Sequence, residues 1–218
     1  MATPPFFKRG IMIIYQDKDI VVCEKRYGVS SQRSDKENMI SILEQECGCE
    51  IYPVHRLDIQ TTGLIVYAKN QKSASVLSQG IQNGLFRKEY VCLCHGNIEE
   101  SGEMVDLLYH DKVKNKSFVV KSKRNGCKEA RLSFYKIDSK SQGEYAFSLV
   151  RVRLFTGRTH QIRVQFSHRG YVLYGDGKYG AKDNGRIALH SAYISFPHPT
   201  TGELVSFESE RWKEIFPF

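Results

Sequence analysis

Between residues 88 and 154 the chain is written almost entirely in strand pattern, and that stretch limits the folds open to it. Segments 89–95, 117–121, 127–137 and 144–154 are alternating or apolar, with polar breaks between them. Ahead of them, 11–15 and 19–25 read as two short strands around a polar turn at 16–18, and 28–36 reads as a loop. Asp35 is placed to cap a helix over 37–47, with Met39, Ile42 and Leu43 on one face. A buried strand follows at 63–69. Asn70 can cap a helix running to 82, and Gly84 is a natural stop. Beyond the β-rich stretch come one helix at 158–168, a strong strand at 187–196 and a short strand at 203–207. Strands with a few inserted helices, without strict alternation, predict an α+β fold: a mixed, mostly antiparallel sheet flanked by a few helices. Residues 1–10, with Pro4, Pro5, Lys8 and Arg9, read as a flexible lead-in. No linker or shift in composition divides the rest, so 11–218 is expected to form a single domain.

A chain of 218 residues can bury a core without disulfides or a structural metal. With 41% hydrophobic and 26% charged residues it is neither disordered nor embedded in a membrane. The apolar run at 11–15 is far too short for a signal sequence or a span. Cys47 with Cys49, and Cys92 with Cys94, form C-x-C pairs, while Cys23 and Cys127 stand alone. None shows the C-x-x-C spacing of metal knuckles or redox sites, so all six read as buried apolar thiols in a reducing cytoplasm. Gly175, Gly177 and Gly180 form a G-x-G-x-x-G, but no strand-to-helix pattern surrounds it. The unusual quantity is charge. Thirty-two basic against 24 acidic residues leave +8, which points to a polyanion and foremost to nucleic acid.

Three stretches concentrate chemistry. In Val54-His55-Arg56-Leu57-Asp58-Ile59-Gln60-Thr61-Thr62-Gly63, a carboxylate sits among a histidine, an arginine and hydroxyls before a buried strand. A cationic neighbour favours the ionised form, suited to a nucleophile or general base; the plain alternative is a structural ion pair or a turn cap. In Leu154-Phe155-Thr156-Gly157-Arg158-Thr159-His160-Gln161-Ile162-Arg163-Val164, Thr156 can cap the following helix. Arg158, His160 and Gln161 would crowd its N-terminus with donors suited to phosphate, and Arg163 lies about one and a half turns in. A solvated basic face is the alternative there. In Arg87-Lys88-Glu89-Tyr90 a tyrosine beside two cations can stack on a base, or simply pack in the core.

Taken in order, H-R-L-D-x-x-T-x-G-L, K-x-Y, T-G-R-T-H-Q-I-R, G-D-x-x-Y-G and L-H-x-x-x-x-x-F-x-H-P resemble the RluA-type pseudouridine synthases over most of the chain. The resemblance implies an RNA pseudouridine synthase: the N1–C1′ bond of a uridine in ribosomal or transfer RNA breaks, the uracil turns, and C5 joins C1′. It implies no cofactor and no metal. By the same resemblance Asp58 is the catalytic carboxylate, Arg163 pairs with it, and Tyr90 stacks on the target base. Whether Asp58 attacks the sugar, attacks the base or removes a ribose proton stays open. Arg56 matches the residue that fills the gap left by the flipped nucleotide, an extraction costing a few kcal/mol of unstacking. His55, Lys88, Arg158, His160 and Gln161 are carried over as RNA-facing or framework residues. RNA is the implied partner, with no membrane and no obligatory protein partner, and a monomer is the default.

The chain departs from the pattern in places. T-S-G is Thr61-Thr62-Gly63, the histidine expected after Q-I-R is Gln165, and K-P-x-G is Lys25-Arg26-Tyr27-Gly28. No separate N-terminal RNA-binding module is expected ahead of the catalytic domain, so capture of RNA would rest on the domain's own charge. Lys112, Lys114, Lys116, Lys121, Lys123, Arg124 and Lys128 form a basic group outside every matched motif. Two other classes compete: a non-catalytic RNA binder, which would not need Asp58, and a glycoside hydrolase, which would need a second carboxylate.

Overall fold

The computed structural model describes residues 6–8, 11–123, 125–142 and 145–218. In chain order the elements are β1 (Phe6–Lys8), β2 (Ile11–Gln16), β3 (Ile20–Lys25), α1 (Met39–Cys47), β4 (Tyr52–Pro53), β5 (Thr62–Ala68) and α2 (Gln71–Gln82). Then come β6 (Arg87–His95), β7 (Ser101–Asp111), β8 (Lys116–Val120), β9 (Cys127–Gln142), β10 (Tyr145–Leu154) and α3 (Gln161–His168). A 3-10 turn (Gly177–Tyr179), β11 (Leu189–Pro197), β12 (Leu204–Glu208) and α4 (Trp212–Ile215) complete the chain. The expected α+β class holds. Antiparallel pairs dominate, and one parallel pair, β5 with β11, makes the β-structure mixed.

The chain packs as two compact units, 1–88 with 190–211, and 89–189 with 212–218. Two of their three boundaries fall inside strands, β6 and β11, and the third just before α4, and no Gly- or Pro-rich linker marks any of them in the sequence. Of the expected lead-in, Phe6–Lys8 pairs with β2; residues 1–5, 9 and 10 lie outside the described residues.

The first unit runs β1-β2-β3-β5-β11, with β12 on β11 and β4 on β5. β3 and β5 are near-continuous apolar runs because they are buried on both faces. On one face Ile20, Val22, Leu64, Val66 and Ala68 meet Leu77 of α2 together with Phe86, Ile194 and Phe196. Asn70 caps α2 as expected, its side chain accepting from the Ser73 amide. At α1 the cap is Asn38, not Asp35. The Asn38 side chain accepts from the Ser41 amide, and the first residues after it, Met39 and Ile40, are buried.

The second unit runs β6-β10-β9-β7-β8. Met104 and Leu108 of β7 and Ala130, Leu132 and Phe134 of β9 point inward. Over them lies α3, with Val164 against Leu108, Ala130 and Tyr179, and Phe166 edge-on to Phe134 at 5.9 Å. Gln165, standing where a histidine is usual, is fully buried and donates to Asp106 at 2.7 Å. A polar tie between α3 and β7 is therefore kept. All six cysteines are free thiols, and Cys92 and Cys94 are buried side by side in β6 as their spacing implied. Cys23 is buried as well, but Cys47, Cys49 and Cys127 are only half-buried, contrary to the expectation of six buried thiols.

Candidate active site

In the first unit the site is a turn held from both sides. Asp58 is half-buried, and its carbonyl accepts from the Thr61 amide at 3.0 Å. On one flank the Ser31 hydroxyl donates to the Leu57 carbonyl at 2.8 Å and accepts from the Leu57 amide at 3.2 Å. On the other, the Ile59 carbonyl accepts from the Gly28 amide at 2.9 Å and from the Lys25 ammonium at 3.0 Å. Lys25 is 1% exposed and also donates to the carbonyls of Arg26 and Val29, both at 2.9 Å. Burial lowers its pKa to about 8, an effect that the nearby Asp58 charge opposes. Sequence reasoning had noted the segment only for its missing proline. The signal that could have found Lys25 is the pair of charged residues, Glu24 and Lys25, closing the apolar run Ile20-Val21-Val22-Cys23.

His55 is spent on framework. β5 bonds β11 at Thr62 and Gly63 and β4 at Tyr67 and Ala68. The Val66 amide between them donates to His55 Nε2 at 3.2 Å, so an imidazole fills a gap in the ladder. Burial, and then the charge of Lys88, lower the His55 pKa to about 3. The ring is thus neutral, its second nitrogen buried with no hydrogen-bond partner. Lys88 is half-buried and lowered by burial, and it makes no hydrogen bond or ion pair among the described residues. Arg56 is exposed and likewise unpaired among them. Where the Asp58 turn enters β5, the Thr62 hydroxyl lies 2.9 Å from His190 Nδ1, and His190 Nε2 lies 3.0 Å from the Ser209 hydroxyl. Gly63 follows at φ +107°, and a Cβ there would sit 2.3 Å from the Ser191 carbonyl oxygen.

The second unit carries Tyr90, Arg158, His160, Gln161 and Arg163. Arg163, only 2% exposed, grips Asp176 through Nε and Nη2 at 2.8 and 2.7 Å. Its guanidinium carbon lies 5.2 Å from the ring centre of Tyr179. Asp176 and Tyr179 both come from the G-D-x-x-Y-G segment. Tyr90 is buried in β6, at 7% exposure.

The N-terminus of α3 differs from the donor-rich end expected. The helix begins at Gln161 because His160 sits in the left-handed region at φ +55°. The Thr156 hydroxyl accepts from the Arg131 amide and donates to Gln161 Oε1, both at 2.8 Å. Gln161 also accepts from the Arg158 amide and donates to the Arg131 carbonyl. Buried His160 lies 3.0 Å from the Tyr179 hydroxyl, and Arg158 Nε donates to the Glu129 carbonyl at 2.8 Å. His160 and Gln161 therefore stand in the framework.

Asp17, Asp19 and His198 converge as a metal cluster would. Their carboxylate oxygens already accept from the amides of Asp19 and Ile20 and from Tyr15, His198, Asn70, Ser73 and Thr200. The group is a hydrogen-bond hub tying the turn before β3 to α2 and to the turn before β12. No helix among the described residues is long and apolar enough to cross a membrane.

Comparison with known proteins agrees with this construction. A family model described as RNA pseudouridylate synthase matches residues 19–168. A Mycoplasma pneumoniae protein named an uncharacterized RNA pseudouridine synthase is 31% identical over 91% of this chain and 66% of its own length. The tRNA pseudouridine synthase C of Haemophilus ducreyi is 28% identical over 94% of this chain and 93% of its own. Among solved structures, human RNA pseudouridylate synthase domain containing 1 shares the fold, with a TM-score of 0.76 at 24% identity over 90% of this chain and 82% of that one. The chain belongs to the RluA-type RNA pseudouridylate synthases, a family of isomerases that act on RNA.

Proposed function

We propose that Asp58 is the carboxylate on which conversion of uridine to pseudouridine turns in this chain, with Arg163 and Tyr90 completing the catalytic set. The observation that carries the reading is the double clamp on the Asp58 turn. Ser31 fixes Leu57, Lys25 and Gly28 fix Ile59, and the carboxylate between them projects from a rigid backbone. Catalysis needs such pre-organisation, because misplacement by one ångström can cost about 100-fold. Arg163 is the cation that orients the carboxylate for reaction, and Tyr90 is the stacking partner of the uracil. Arg56, exposed and unpaired, fills the space the flipped nucleotide leaves. Breaking N1–C1′ and forming C5–C1′, with the C5 proton lost and N1 protonated, is an isomerisation without overall change of oxidation state, so the chemistry asks for no cofactor or metal.

The substrate proposed is ribosomal or transfer RNA in the cytoplasm, and the name of the Haemophilus relative favours transfer RNA. The protein acts as a monomer without an obligatory protein partner. The test incubates the protein, with chelator present, with uridine-containing RNA from cells lacking it, followed by nucleoside analysis. Pseudouridine made by the wild type and not by Asp58→Asn is the expected result. Product from Asp58→Asn would remove Asp58 from the mechanism, and free uracil would indicate hydrolysis instead.

A further inference from the structure

Tyr179 carries Lys116 and Arg163 on its ring, and its hydroxyl ties together the two elements that bear them. That hydroxyl accepts from the Ser117 amide at 2.9 Å, at the start of β8, and lies 3.0 Å from His160 Nδ1 before α3. The Ser117 hydroxyl donates to the Thr159 carbonyl at 2.6 Å, a second bond between the β7–β8 hairpin and the entry to α3. The hairpin is therefore pinned at the helix that carries Arg163. Lys116 Nζ lies 5.0 Å from the centre of the same tyrosine ring over which Arg163 lies, and 5.8 Å from that of Phe118. Lys178, next to Tyr179, donates to the carbonyl of Asn115 in the hairpin turn at 3.0 Å. Asn115 takes the left-handed conformation, φ +44°, that the turn requires.

The charges here do not balance. Asp176 is committed to Arg163. Asp111 faces Lys116 across the hairpin register, but its Oδ1 accepts from the Val113 and Lys114 amides and closes the turn. Among the described residues neither Lys116 nor Lys178 forms an ion pair. Lys116 is thus held on the aromatic ring that also carries the buried Arg163, and Lys178 on the carbonyl of Asn115, the residue before Lys116. Such an arrangement costs repulsion until an anion arrives, and phosphate is the anion an RNA-modifying enzyme meets.

We propose that Lys116 and Lys178 form a phosphate-binding site for the RNA backbone, pinned by Tyr179 to the helix that carries Arg163. This rests on the reading of the chain as an enzyme acting on RNA. It selects Lys116 from the basic middle segment and adds Lys178 from outside it. A backbone phosphate bound there registers the RNA against the element that carries Arg163, because the cations sit on packed framework.

The experiment measures binding of labelled unfractionated transfer RNA across a salt series for the wild type, Lys116→Gln, Lys178→Gln and their double variant. Lys140→Gln, exposed at the far end of β9, controls for loss of a positive charge, and Lys116→Arg tests retention of charge. The double variant should bind about 3- to 10-fold more weakly, with the slope of log K against log salt reduced by about 1. Lys116→Arg should bind within about twofold of the wild type. Equal loss in Lys140→Gln, or an unchanged slope in a double variant that melts at the wild-type temperature, overturns the site. If that variant is unfolded, the two single variants decide by the same criteria. Asp58→Asn run beside them keeps the two readings apart: it should bind like the wild type and form no pseudouridine.

Discussion

Arg163 and Asp176 form a two-bond fork with both side chains out of water, 3% and 1% exposed. A bidentate guanidinium–carboxylate pair fixes the plane of the arginine as well as its position. Asp176, from the G-D-x-x-Y-G segment, thereby acts on the site by positioning Arg163. The carboxylate holds Nε and Nη2, and the ring of Tyr179 lies against the guanidinium.

Breaking the fork should therefore damage rate more than affinity. Asp176→Asn keeps the shape but removes the charge. Single-turnover pseudouridine formation should fall at least about tenfold, with RNA affinity within about threefold. Asp176→Ala leaves a buried arginine uncompensated and should cost about 3–5 kcal/mol of stability, read by urea unfolding at pH 7. An Asp176→Asn enzyme with wild-type rate would confine Asp176 to stability alone.

Two buried histidines make the fold acid-sensitive in a defined window. His55 and His190 are both lowered to about 3, first by burial and then by the charges of Lys88 and Arg211 respectively. Above the ordinary histidine pKa of about 6.5, folded and unfolded chains are both neutral at these sites and no penalty exists. As pH falls from there towards 3, only the unfolded chain takes up the protons. Stability should drop by on the order of 1 kcal/mol per pH unit for each histidine. Urea midpoints at pH 7.5 and 5.5 measure the drop, and His190→Gln should remove about half of it. An equal drop in that variant would show that His190 contributes nothing.

Gly63 is the narrowest point beside the Asp58 turn. A Cβ there would meet the Ser191 carbonyl at 2.3 Å, and φ +107° disfavours any L side chain. Gly63→Ala should cost at least about 2 kcal/mol. It should also slow catalysis more than Gly84→Ala, which also has a positive φ, +72°, but open space around it. Thermal melting and single-turnover rates on the same preparations test both statements.

What the sequence revealed and what it hid have physical causes. The β3 and β5 strands were legible because their apolar runs are continuous, and α2 because Asn70 and Gly84 bracket it. Strand β7 was missed. Its two deeply buried residues, Met104 and Leu108, lie four apart, and its other face carries Glu103, Val105 and Leu107 in no alternating pattern. The matched motifs located Asp58 and Arg163 but could not say what holds them. The clamp on Asp58 comes from Lys25 and Ser31, and the fork on Arg163 from Asp176, all distant in sequence from the residues they hold. The donor-rich helix end was overread because side chains that look like ligand donors, His160 and Gln161, close the loop in which they sit.

The remaining basic residues of the middle segment allow a last prediction. Lys112 and Lys114 occupy the exposed turn between β7 and β8, and Lys121, Lys123 and Lys128 are exposed around the connection from β8 to β9. Arg124 lies outside the described residues. Unlike Lys116, the exposed lysines at 121 and 123 stand on no aromatic ring, so their pull on RNA should be long-range and readily screened. Reversing them, Lys121→Glu with Lys123→Glu, should slow association at low salt and flatten the salt dependence of binding, with little loss of affinity above about 0.3 M salt. The loss from the Lys116 and Lys178 substitutions should be greater at that ionic strength, because Lys116 is half-buried against aromatic rings and Lys178 is held in place by its bond to the Asn115 carbonyl. Stopped-flow association rates and equilibrium titrations at both salts separate the two behaviours. If reversal at 121 and 123 changes neither rate nor affinity, the turn is a solvated surface and RNA capture rests on the remaining cations.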